Sequence, residues 1–330
     1  MAHKVMQILI KAFLLLAVIL IAWVGLNQIE SEPLKEITAI SADDGDWIRQ
    51  KPDWPNEFFR FVQDFDQMQT PVPLATLEKY RKLIIANNDY PTIRPLLAIT
   101  SFFSHRFALN RETLNSFSGL SVDEQLAYME ASLKLSQNLL NQKIAFIQFS
   151  VELAIVNSIA KYLDETPERY KLQSSTSAHR YQTIKKLLAE IADARLIATK
   201  NALVGELESQ LALSKNFKLS DLGLEEKKGG LSLTIWDQIG FLFYNQGATQ
   251  NTIYENFQEL IAAAECVQDF SCEKKCLSDA CPEIPKKTTG SLFLNPMGLY
   301  LTKFMTLEPR LLVKASFRFK EIKATAESLN

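Results

Sequence analysis

Four cysteines, Cys266, Cys272, Cys276 and Cys281, fall within 16 residues in the pattern C-x5-C-x3-C-x4-C. Thiols so close together ligate a metal, oxidise in pairs or remain free. Structural zinc sites favour tighter cysteine pairs with two to four residues between them, and no histidine lies nearby to complete a cage. No C-x-x-C is present to supply a catalytic dithiol. An even count fits two disulfides in an oxidising compartment. The nested pairing Cys266–Cys281 with Cys272–Cys276 is preferred because it pins a loop at its base, although all three connectivities remain open.

Other reactive residues are thinly spread. Of three histidines, His3 is at the extreme N-terminus, and His105 and His179 each sit beside an arginine without metal-ligand or triad spacing. Ser158-Ile159-Ala160-Lys161 matches the S-x-x-K of serine acyl-enzymes, but S-D-N is missing and Lys287-Thr288-Thr289-Gly290 is one residue too long for K-T-G. Glu206 and Glu208, two apart on a helix, diverge and make no glycosidase pair. Phosphate-binding loops, dinucleotide fingerprints, H-E-x-x-H and G-x-S-x-G are all absent from the sequence. No catalytic residue, cofactor or metal is assigned.

A second chemical feature is electrostatic. Between Lys303 and Lys323 six cations (Lys303, Arg310, Lys314, Arg318, Lys320 and Lys323) face only Glu308 and Glu321. Arg310, Lys314 and Arg318 recur every four residues and read either as a solvated helix face or as the candidate face for an acidic partner: the chain's own acidic stretch, anionic headgroups or another protein.

The elements that carry these residues are helical. The 330 residues are 47% hydrophobic and 22% charged with net charge −2, which excludes wholesale disorder and gives no support for nucleic-acid binding. Leucine (46) outnumbers valine (11), and glycine is scarce at 11. Leucine keeps rotamer freedom in a helix, whereas strands favour β-branched residues, so the fold class is all-α.

At the N-terminus, Val5–Leu26 is interrupted only by Gln7 and Lys11, long enough to cross about 30 Å of hydrocarbon. Lys11 can snorkel and Trp23 suits the far interface. No A-x-A-like cleavage site follows, so residues 1–26 are expected to remain as a transmembrane anchor. Lys4 and Lys11 precede the span and Glu30, Glu32 and Glu36 follow it, which places the bulk outside the cytoplasm. Residues 27–56 read as an acidic tether, with seven acids against three bases from Glu30 to Asp53. Asp43, Asp44 and Asp46 lack the ligand pattern of a calcium loop, and Trp47 and Trp54 are available to dock the tether.

Residues 57–330 are expected to form an antiparallel helical array. Helices are predicted over Leu74–Ala86, Thr92–Arg106, Val122–Leu140 behind a Ser121–Glu124 capping box, Ile144–Leu163, Ala178–Leu213 as two helices or one bent one, Thr249–Cys266, and a last helix opened by Pro309. Asn87–Pro91, the loop from Pro167 through Ser177, and Glu225–Gly230 break the pattern. Ile144–Leu163 carries six polar groups spread around it and reads as a buried core helix rather than a second span.

Three short motifs resemble uncharacterised single-span envelope proteins of Gram-negative bacteria: Ser177-Ala178-His179-Arg180-Tyr181, Gly247-Ala248-Thr249-Gln250-Asn251 and Asn295-Pro296-Met297-Gly298. The resemblance implies a single inner-membrane pass and a periplasmic domain, and it implies no activity. The function expected is a membrane-anchored binding or scaffold component of an envelope assembly, with a protein partner. An envelope hydrolase or transferase whose site assembles only in three dimensions is the alternative.

Overall fold

The computed structural model describes residues 13–19, 21–22, 25, 36, 57–65, 71–87, 100–166, 170, 175–215, 244–272 and 310–329. Every regular element among them is helical, as the leucine-rich, valine-poor composition predicts. The elements are α1 (Glu57–Gln63), α2 (Leu74–Ala86), α3 (Thr100–Asn115), α4 (Val122–Leu140), α5 (Phe146–Glu165), α6 (Ser175–Asp193), α7 (Arg195–Lys215), α8 (Gln246–Ala263) and α9 (Arg310–Ser328). Short 3-10 turns at Ser116–Gly119 and Ala264–Val267 follow α3 and α8.

The chain divides into two compact units. One comprises residues 1–45, 210–256 and 282–307, the other 46–209, 257–281 and 308–330. The body expected over 57–330 therefore contributes to both.

In the larger unit, α4, α5, α9 and α6 pack in a closed cycle, each against the next, to make a four-helix bundle. The capping box forms as read: Glu124 N–H donates to Ser121 Oγ while Ser121 N–H donates to the Glu124 carboxylate. Helix α4 ends at Asn141, and α5 returns antiparallel, so that Ser136 meets Glu152. The other neighbours depart from a simple antiparallel array. Asp123, Glu130 and Gln137 on α4 meet Ser177, Arg180 and Glu190 on α6 in that order, so the two helices run parallel. Ser150, Asn157 and Asp164 on α5 likewise meet Arg318, Glu321 and Ser328 on α9. The reason is connectivity: α6 follows an antiparallel return from α5, and α9 arrives from a long excursion.

Against the bundle, α1, α2 and α3 build an aromatic cluster. Phe59 stacks on Phe102 at 5.2 Å, Phe58 and Phe103 meet their neighbours edge-on, and Tyr80 leans on Tyr128. Such pairs contribute about 0.5–1.5 kcal/mol each beyond the burial of their area. Helix α3 departs most from expectation. It runs nine residues past Arg106, because Arg106, Asn110 and Thr113 face the core and erase the apolar stripe by which a helix is recognised.

Helix α7 crosses the α4–α5 connection at a single close point. A Cβ on Gly205 would sit 2.6 Å from the Ile144 carbonyl oxygen, so only glycine permits the approach. Beside it Glu206 accepts from the Phe146 N–H at 2.9 Å, capping α5, and Lys143 pairs with Glu208 at 2.8 Å. In the smaller unit, Asn245 caps α8 by accepting from Ala248 N–H, and Gln250 and Tyr244 donate to the carbonyls of Leu211 and Ser214.

Candidate functional site

The structure joins Cys266 to Cys272 in a disulfide, in place of the nested pairing with Cys281 and Cys276. Local backbone decides the pairing. After α8 the chain tightens into a 3-10 turn, Ser271 N–H donates to the Cys266 carbonyl, and Phe270 adopts φ 56°, which turns the chain back on itself. That left-handed conformation is costly for a bulky residue and persists only where its surroundings hold it. Arg195 provides the hold. Its guanidinium lies 4.6 Å from the centre of the Phe270 ring and donates to the carbonyls of Val267 and Gln268, and to Ala192 of its own segment at 2.9 Å. Lys323 approaches the same ring at 6.0 Å, and Lys200 pairs with Glu265. Both cysteines are buried, so this disulfide is a clamp and not an exposed redox centre. Cys276 and Cys281 lie outside the described residues, as do the tether apart from Glu36, the Lys287–Gly290 segment and the Asn295–Gly298 motif.

The cationic trio is split. Arg310 and Lys314 are exposed, but Arg318 is half-buried and donates to the Ser150 carbonyl at 2.7 Å. Burial draws its pKa down, although the nearby Glu321 opposes this. Arg318 therefore fastens α9 to α5. The outward arc of α9 reads instead Arg310, Lys314, Phe317, Lys320 and Ala324, all exposed, at spacings of four, three, three and four.

The other candidates are committed elsewhere. His105 Nδ1 lies 3.0 Å from the Val62 carbonyl, with its ring edge-on to Phe65. His179 is exposed on α6. Ser158 donates to Ala154 of its own helix, and Lys161 pairs with Glu321, so the S-x-x-K pattern assembles no nucleophile and base. In the first resembling motif, Arg180 bridges Asp123 and Glu130 while Tyr181 stacks on Tyr170.

The structure reveals one buried cluster that sequence reasoning did not find. Arg106 and Glu152, on α3 and α5, are fully buried with Nη2 and Oε2 3.3 Å apart. Ser136 donates to Glu152 at 2.7 Å, while Arg106 donates to Ser136 Oγ and the Ser132 carbonyl. Next to it Tyr128 donates to Asn110 at 2.7 Å. Desolvation raises the pKa of Glu152 despite the attraction of Arg106 and the hydrogen bond from Ser136. Burial raises Tyr128 well above its ordinary value as well. The only signal in the sequence is polar residues breaking otherwise apolar helices, and it does not say which of them meet. The cluster lies in the packed core among α3, α4 and α5, where its groups pair with one another and fix the helices' register.

Among the described residues no group of three or more His, Cys, Asp or Glu side chains could hold a metal ion. No helix of theirs is long and apolar enough to cross a membrane, although residues 13–19 are helical and Phe13, Leu14, Leu15, Leu16, Val18 and Ile19 are each more than half exposed. Comparison with known proteins returns nothing: no family model fits the chain, and no curated protein or solved structure is significantly similar to it.

Proposed function

We propose that this protein is a single-pass, membrane-anchored helical component that binds or scaffolds a protein partner in the cell envelope, with its body on the non-cytoplasmic side. The observation that carries the reading is the exposed apolar helix at residues 13–19. Six large apolar side chains turned outward along these helical residues are unfavourable in water and favourable in hydrocarbon. The flanking charges, positive before and negative after, set the orientation. Several residues with chemical potential hold the fold together instead: Cys266 and Cys272 in a disulfide, Arg106 and Glu152 in a core ion pair, and Glu206 at a helix end. The body also carries separate exposed apolar side chains, among them Leu74 and Ile197, available to a partner.

Native membranes crosslinked and then gently solubilised test this. The chain should migrate in a discrete assembly well above its own 37.4 kDa and be retained in membranes after alkaline washing. Migration alone after crosslinking would contradict the scaffold reading.

A further inference from the structure

We propose that the outward arc of α9, formed by Arg310, Lys314, Phe317 and Lys320, is a docking surface for an anionic phospholipid bilayer. The inference deepens the function proposed above and rests on its membrane reading. Three cations and one aromatic ring share this arc, and Phe317 is 48% exposed among them. Among the described residues none of the three cations is ion-paired, in contrast to Lys161, Arg180 and Lys200, which meet carboxylates. The described acids of the helix are directed elsewhere or lie further along it. Glu321 turns onto Asn157 and Lys161 of α5, and Glu327 lies about two turns beyond Lys320. Arg318 and Lys323, the other two cations of the helix, are drawn inward onto Ser150 and Phe270. The helix thus sorts its five cations: two hold the fold and three remain outside.

A lone ring flanked by long cationic side chains is matched by a headgroup boundary. The ring enters the apolar edge while the Lys and Arg stems lie along it and keep their charges among the phosphates. Ile147, 61% exposed, adds a second apolar side chain at this level, one turn before the Ser150 that receives Arg318. Each cation near an anionic surface strengthens binding about fivefold, so three suffice to hold an already anchored chain down and too few act to recruit it alone.

The test uses the full chain in vesicles of pure phosphatidylcholine or phosphatidylcholine with phosphatidylglycerol, with a photoreactive benzoylphenylalanine replacing Phe317 or, as a control, the exposed Ile197 of α7. Photo-adducts are identified by mass spectrometry. Position 317 should label phospholipid, several-fold more in the anionic vesicles than in the neutral ones, and position 197 should not show this dependence. Arg310→Gln, Lys314→Gln and Lys320→Gln should each reduce labelling by up to about fivefold, with helix content unchanged because Gln suits a helix nearly as well. Equal labelling in both vesicles, no lipid adduct at 317, or adducts to residues 30–53 or to a second copy of the chain would overturn the proposal. Alkaline extraction from the neutral vesicles reports the anchor separately. Release there would overturn the anchor and the arc that depends on it, whereas retention with equal labelling in both vesicles would overturn the arc alone.

Discussion

The Arg106 guanidinium and the Glu152 carboxylate face each other at 3.3 Å with no solvent exposure on either side chain. Among the described residues Glu152 Oε1 has no hydrogen-bond partner. The pair therefore carries a large desolvation cost offset by mutual attraction and by Ser136, and its members depend on each other. Glu152→Ala should lower stability by about 3–5 kcal/mol, because it leaves a cation uncompensated in the core. Arg106→Met with Glu152→Leu should cost markedly less than the sum of the single changes. Denaturant melts of the three variants measure it, and strict additivity would refute the coupling.

The same pair gives a pH dependence with a defined sign. Glu152 has a folded pKa above its ordinary 4.5, so between those two values the folded state holds a proton that the unfolded state has released. Stability must then fall as pH rises through that window, by about 1.4 kcal/mol per unit at most, and the contribution is fully present only below 4.5. Compared with Glu152→Gln, the wild type should lose relative stability as pH is raised from 4.5. A difference that stays flat or grows with pH would show that the carboxylate is not raised.

Gly205 tests the crossing of α7. In an exposed helix Gly→Ala adds about 1 kcal/mol of stability. Here the added methyl would lie 2.6 Å from the Ile144 carbonyl oxygen and 2.7 Å from the Lys143 carbonyl carbon, both backbone atoms that cannot turn aside. Gly205→Ala should therefore destabilise by about 1–3 kcal/mol in a thermal melt.

Cys266 and Cys272 close a short loop, worth about 2 kcal/mol by the chain-entropy estimate. Paired replacement by serine should lower the melting temperature and free the Phe270 turn to proteolysis. Peptide mapping without reduction should recover Cys266 joined to Cys272. A Cys266–Cys281 peptide would contradict the structure.

Much of the helical framework could be read from the chain. Leu74–Ala86 has the expected bounds, the Ser121–Glu124 box opens α4, and the long 178–213 stretch divides at Ala194 into two helices. These features are local: a cap, a break and a periodicity act within a few residues. What could not be read depends on partners distant in sequence. Asn110 and Arg106 look like surface residues until α4 and α5 are placed around them, and this concealed the second half of α3. Arg318 shares a four-residue spacing with Arg310 and Lys314, yet α5 draws it inward through Ser150, 168 positions away. The cysteine pairing turned on a left-handed Phe270, a residue type whose sequence gives no sign of that conformation.

The central claim, a chain anchored at its N-terminus with its helical body outside the cytoplasm, is tested most directly by reporters fused after Asn330. A phosphatase that folds only in an oxidising compartment should be active there, and a fluorescent protein that matures only in the cytoplasm should stay dark. A dark phosphatase with a bright fluorescent fusion would place the body inside the cell and contradict the account.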